Sequence, residues 1–266
     1  MAVERQVSAA GLVHFPWILD IQINPTEPKL NFRVWVSFGL ELDVFKKILD
    51  DTRPKRVAVW YFNTEAAVEE YAKKLIPYAR QAFMAEILEE VIQSEATDYR
   101  ATAARINAFA PDLIFLNGFI PQMVAQFRAL QPFGLIRPGQ TVGSLDLLDA
   151  SKLLSANEVE GVLVAAPGYL VAPSTEAVAW TTRFEKRFGW IPTYTAAYAY
   201  DMGTTLLLAA AEVNASSASN WQAEFLSALR RSSFEGITGR IAFNEDQSLK
   251  TALVLSTFRD GVARPM

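Results

Sequence analysis

From residue 55 onward, short runs of β-branched and aromatic residues alternate with stretches of helical periodicity, which constrains the fold more than any other feature. "KRVAVWYF" (55–62) reads as a strand. Val68, Tyr71, Ala72, Leu75, Ile76 and Ala79 then recur at i, i+3 and i+4, the spacing of an amphipathic helix. Pro77 falls inside that helix and is expected to kink it or end it early, since proline lacks an N–H and its ring crowds the preceding turn. "AEILEEVIQ" (85–93) is the next strand and 98–110 the next helix, with Asp98 as its N-cap. "DLIFL" (112–116) and the helix after Pro121 repeat the unit. "QTVGS" (140–144) and "EGVLVAAP" (160–167) supply two further strands. Strands and helices alternating over short connections predict an α/β fold, with a parallel sheet wrapped by helices through right-handed crossovers.

After Pro167 the pattern changes. Two long helices, 175–189 and 193–213, are joined by "GWIP", and a third spans 220–232. The chain then returns to strands at 239–243 and 251–258. An α/β block interrupted by a helical block and completed later implies two lobes with several chain crossings between them.

Composition excludes several functions. The chain has 25 Lys and Arg against 29 Asp and Glu, with no block of like charge, so no nucleic-acid footprint is expected. With no cysteine, thiol catalysis, disulfides and thiolate metal sites are ruled out together. His14 is the single histidine, which excludes a histidine-based metal centre, and its place beside "FPWIL" suits a structural role. No glycine-rich phosphate loop or nucleophile elbow is present, so no enzyme and no cofactor are expected. The first twenty residues, broken by Pro16, read as neither a secretion signal nor a membrane span.

Five segments in order resemble the type I periplasmic binding proteins of the Leu/Ile/Val-binding family, the substrate-binding components of branched-chain amino-acid ABC transporters. These are "KRVAVWYFNTEAAVEEYAKKL", "ATDYRATAARINAFAPDLIFLNGFIPQM", "VEGVLVAAPGY", "RFGWIPTYTAAYAYDMGTTLLLAAAE" and "FEGITGRIAFNEDQSL". The resemblance runs from about Val13 to the end and implies two parallel-sheet lobes with helices on both faces. The N-terminal lobe would comprise 1–36 and 165–237, the C-terminal lobe 37–164 and 238–266. Its first half-lobe is expected to be missing. In that case Phe184, Phe188, Tyr198, Leu206 and Leu207 would need another partner, such as a second copy in a homo-oligomer.

The resemblance also places a ligand site between the lobes, at the carboxyl ends of strands. It puts Phe119, after the Asn117-Gly118 turn, against the ligand, although Phe119 would equally serve as a hydrophobic staple at a helix start. Asp146, with Asp149 second, would hold a ligand ammonium, although either would equally cap the following helix. Asn63, Thr64 and Glu65 lie at a helix N-terminus suited to an anionic ligand group. Asp20, Gln22 and Asn24 stand where amino-acid binders present small and hydroxyl residues, while Trp17 and Trp35 line the cleft or pack in the core. Asp201 is expected to make a helix-to-loop hydrogen bond, and the threonine and glycine of "ITGRIAF" to fit a hinge. The function implied is capture of an amino-acid-like or organic-acid solute by lobe closure, outside the cytoplasm, with permease subunits as partners. A ligand-sensing domain of the same fold stands as the alternative.

Overall fold

The computed structural model describes residues 6–7, 9–16, 30–93, 96, 98–213 and 220–266. The chain forms two compact units, one of Met1–Ser37 with Pro173–Ala252, the other of Phe38–Ala172 with Leu253–Met266. The boundary near 237 expected from sequence therefore shifts to Ala252/Leu253.

The second unit opens with a helix, α1 (Phe38–Thr52). This helix is absent from the sequence reading, although Leu42, Phe45, Ile48 and Leu49 follow helical spacing and are all buried. Five strands follow: β1 (Arg56–Phe62), β2 (Glu86–Ile92), β3 (Leu113–Leu116), β4 (Thr141–Gly143) and β5 (Leu163–Pro167). Late in the chain, β8 (Leu253–Arg259) and β9 (Val262–Pro265) complete a seven-stranded sheet of order β2-β1-β3-β4-β5-β8-β9. The first five strands are parallel, whereas β8 and β9 pair antiparallel. Residues of β3, β4 and β5 are buried throughout, as a parallel sheet covered on both faces requires. The edge strand β2 instead carries Glu86, Glu89 and Glu90, charges that discourage pairing with another chain.

Pro77 does not end its helix. The element α2 begins as Glu65–Ala67, widens into a π-helical stretch over Val68–Leu75, and resumes as an α-helix over Ile76–Phe83. The Ile76 N–H donates to the Tyr71 carbonyl, five residues back. This wider turn just before Pro77 absorbs the missing donor and the ring's bulk. The extra residue also rotates the buried face, so Glu70 lies inside together with Tyr71 and Leu75.

The remaining helices of this unit are α3 (Arg100–Phe109), α4 (Ile120–Leu130), α5 (Leu147–Ala150), α6 (Ala156–Val159) and α7 (Gly168–Val171). Asp98 accepts from the Arg100 N–H at 2.9 Å, bonding the start of α3 although Tyr99 holds the N-cap position.

The first unit contains α8 (Thr175–Phe188), α9 (Tyr194–Glu212), α10 (Trp221–Arg231) and a hairpin of β6 (Ser233–Gly236) with β7 (Gly239–Ala242). Parallel pairing among its described residues occurs as the isolated bridges His14–Asn31 and Arg33–Ser248. Phe32 centres a core with Ala209, Ala228 and Leu229, packing on Phe15 at 5.9 Å and on Phe243 at 5.2 Å.

Trp35 is likewise core, stacked on Tyr194 and edge-on to Tyr198. Tyr198 is thus covered within its own unit, while Phe188 and Leu207 remain exposed. The segment expected as a hinge is instead the β6–β7 turn, pinned by Asp201 from α9. One carboxylate oxygen accepts from the Ile237 N–H at 2.8 Å. The other accepts from the Thr238 N–H at 2.7 Å and the Thr238 hydroxyl at 2.6 Å. A Cβ on Gly236 would sit 2.6 Å from that carboxylate, so glycine is the residue this approach admits.

Candidate functional site

In a doubly wound sheet, ligands bind beyond the carboxyl ends of the strands where the winding reverses. Here β1 has β2 on one side and β3 on the other, so the reversal lies between β1 and β3. The loops leaving those strands hold Asn63-Thr64 and Asn117-Gly118-Phe119, and the loop after the adjoining β4 holds Ser144-Leu145-Asp146.

Backbone bonds fix these loops side by side. Asn117 N–H donates to the Trp60 carbonyl and Ser144 N–H to the Leu116 carbonyl, both at 2.9 Å. The buried Gln126 of α4 donates from Nε2 to the carbonyls of Trp60 at 3.0 Å and Asn117 at 3.2 Å. Gly118 follows because a Cβ there would lie 2.7 Å from the Gln122 Cβ.

Phe119 occupies the N-cap position of α4 in extended conformation, and 51% of it stays exposed. Its ring meets Phe62, the last residue of β1, at 5.5 Å. A staple residue would be buried against its own helix. Phe119 instead builds an open aromatic wall with Phe62 at the reversal point.

Asp146 precedes α5, but its side chain makes no capping bond. Burial lifts its carboxyl to about 6, with the charge of Asp149 adding to the rise. The acid therefore ionises close to neutrality and is not neutralised by a cap. Asp149 is buried and paired with Lys152 at 2.6 Å, which gives it a structural partner.

Thr64 caps α2, its hydroxyl accepting from the Ala67 N–H at 3.1 Å. Asn63 is exposed and donates from Nδ2 to the Gln93 Oε1 at 3.1 Å. Glu65 is exposed in the first helical turn, where its charge suits the helix dipole. Thr64→Ala is expected to cost about 1 kcal/mol, the usual loss for an N-cap hydroxyl, measured by chemical denaturation. Asp20, Gln22, Asn24 and Trp17 lie outside the described residues.

Sequence reasoning missed the layer beneath this edge. Glu41 of α1 is fully buried, and its Oε1 accepts from the Leu145 N–H at 2.6 Å. Glu70 is also fully buried, and neither of its carboxyl oxygens has a hydrogen-bond partner. Burial holds both acids well above the usual carboxylate range. For Glu41 the Leu145 bond opposes that rise, and for Glu70 the nearby Glu41 adds to it. At a spacing of 3.6 residues Glu70 falls opposite the apolar stripe, so the sequence offered no signal for it.

The model of the family described as "Periplasmic binding protein" matches residues 39–261. The chain belongs to this family. Similar solved structures include an extracellular ligand-binding receptor from Rhodopseudomonas palustris HaA2, with TM-score 0.83 and 18% identity over 100% of this chain and 78% of that one. An ABC-transporter solute-binding protein from R. palustris, in complex with benzoate, has TM-score 0.75 and 15% identity over 90% of this chain and 65% of that one. The substrate-binding protein LivJ of a Streptococcus pneumoniae branched-chain amino acid transporter, in complex with isoleucine, has TM-score 0.76 and 18% identity over 100% and 75%. At these identities the likeness is one of fold. Comparison with curated proteins gave no match. Among the described residues, no helix is long and apolar enough to cross a membrane, and no group of three acids or histidines is placed to hold a metal.

Proposed function

We propose that the protein is the substrate-binding component of an ABC-type transporter, working outside the cytoplasm. It captures a small amino-acid-like or organic-acid solute, without turnover, at the carboxyl edge of the second unit's sheet. The observation that carries this reading is the open Phe62–Phe119 wall at the winding reversal, beside an uncapped Asp146. An aromatic wall offers stacking and apolar contact to a flat or branched side chain. An ionised Asp146 offers a charge-assisted hydrogen bond to an ammonium. Asn63 and Thr64 add polar groups on the neighbouring loop, and Glu65 begins the helix behind them. The benzoate and isoleucine held by the similar structures define the two ends of the ligand panel.

The test is a thermal-shift screen with apolar amino acids and aromatic acids. A ligand at a hundredfold excess over its Kd stabilises by about 2.7 kcal/mol. Phe119→Ala is expected to weaken binding of the best ligand at least tenfold while leaving the unliganded melting temperature nearly unchanged. Unaltered binding in that variant would remove Phe119 from the site.

The pH dependence identifies the ligand group that Asp146 meets. Above about 6 the carboxyl is charged, so an ammonium ligand should bind more tightly at pH 7.5 than at pH 5. An organic acid resting on Asp146 should show the reverse order, because it is repelled by the charged form. Calorimetric titration at the two values separates them, and Asp146→Asn should abolish either trend.

A further inference from the structure

The turn between β4 and α5 carries the uncapped Asp146, and the two residues before it are anchored on different elements. The Ser144 N–H donates to the Leu116 carbonyl at 2.9 Å, which continues the β3–β4 pairing by one step. The Leu145 N–H has left the sheet and donates instead to the Glu41 Oε1 at 2.6 Å, across 104 positions of sequence. Leu145 is buried, so solvent is no substitute for that acceptor. A buried N–H stripped of its acceptor is costly enough to move the backbone toward water.

Both ends of this link are firmly placed. Glu41 lies in the first turn of α1, a helix held by the burial of Leu42, Phe45, Ile48 and Leu49. On the other side the turn is closed tightly on itself. The Leu147 N–H donates to the Ser144 carbonyl and the Ala150 N–H to the Asp146 carbonyl, both at 2.9 Å. A Cβ on Gly143 would lie 2.4 Å from a Leu147 methyl group, so the chain has little slack there. A displacement of Leu145 therefore carries Asp146 with it.

We propose that Glu41 is a positioning residue for the ligand site: by holding the Leu145 N–H from α1, it sets the place of Asp146 and so the preference for a ligand bearing an ammonium group. The preference rests on the reading of Asp146 as the ammonium anchor, whereas the hold on the turn does not. The chemistry of the side chain suits a prop. Glu41 is fully buried, and burial disfavours its charge, with the charge of Asp146 adding to the effect. The turn uses one oxygen as an acceptor, while Oε2 has no hydrogen-bond partner among the described residues. Glutamine keeps that acceptor at nearly the same size. Leucine keeps the bulk and removes the acceptor.

The experiment uses the full chain as wild type, Glu41→Gln and Glu41→Leu. In the unliganded wild type, an NMR coupling through the hydrogen bond should join the Leu145 15N to the Glu41 13Cδ. Its absence would overturn the proposal, even if Glu41→Leu fails to fold. The Asp146 carboxyl is then titrated by 13C NMR, with a midpoint of about 6 expected in the wild type. Glu41→Gln should keep that midpoint, whereas Glu41→Leu should lower it by roughly one unit as the loosened turn admits water. Asp149, the other group acting on Asp146, is paired with Lys152 and is touched by neither substitution. An unmoved midpoint in folded Glu41→Leu would overturn the proposal. Calorimetry with isoleucine and benzoate tests the preference. Glu41→Leu should weaken isoleucine roughly tenfold or more and benzoate by no more than about twofold, and Glu41→Gln should rescue isoleucine binding. Equal losses for both probes would overturn the preference. Failure of both probes to bind the wild type, with the NMR results as expected, would count against the Asp146 reading alone.

Discussion

Asp146→Asn is expected to stabilise the second unit by about 1–3 kcal/mol above pH 7 and to change little below pH ~4. Burial raises the folded-state value of this carboxyl from 3.8 to about 6. A group raised in this way contributes fully below its unfolded value, and that contribution is lost as pH rises through about 6. A rise from 3.8 to about 6 corresponds to roughly 3 kcal/mol at most, reduced because the side chain is only partly buried. The amide has no proton to lose, so the high-pH penalty disappears. Hydrogen exchange of the β3 and β4 amides at pH 4 and pH 7.5 measures the change in this unit alone. Destabilisation of the variant at pH 7.5 would mean that the carboxylate has a stabilising partner. The expected gain in stability, set beside lost ligand binding, is the trade-off found where a strained charge is kept for function.

Asp201→Ala should have the opposite effect on the first unit, with a loss of about 3 kcal/mol or more. The substitution removes the acceptor of two backbone N–H groups and one hydroxyl around the β6–β7 turn. Each buried donor left unpaired costs about 1–3 kcal/mol. Exchange protection at the Ile237 and Thr238 amides should collapse together with the midpoint of urea unfolding. Retained protection at those amides would show that the turn holds itself without α9.

The strands were readable from sequence because β3, β4 and β5 are buried on both faces and so appear as unbroken apolar runs. The β6 strand was not, since Ser233 and Glu235 face outward and the segment looks like a loop. At the site, the Asn117-Gly118 turn marked the strand end and so led to Phe119. The aromatic partner Phe62 closed its own strand and carried no separate signal. Glu70 was hidden for a geometric reason: a spacing of 3.6 residues places it opposite the apolar stripe, and only the π-helical register turns it inward. Glu41 lies in a helix, and its bond to Leu145 links residues far apart in sequence.

The three places where the chain passes between units have a consequence for biosynthesis. On the ribosome, β1 to β5 emerge early, but β8, the antiparallel neighbour of β5, follows only after the whole of Pro173–Ala252 has been made. At roughly 5–20 residues per second, that delay lasts several seconds. Throughout it, the apolar strand Leu163–Pro167 presents an unpaired edge, a template for association with neighbouring nascent chains. Recovery of soluble protein should therefore depend on the rate of translation through the helical insert, with a pause there lowering the yield.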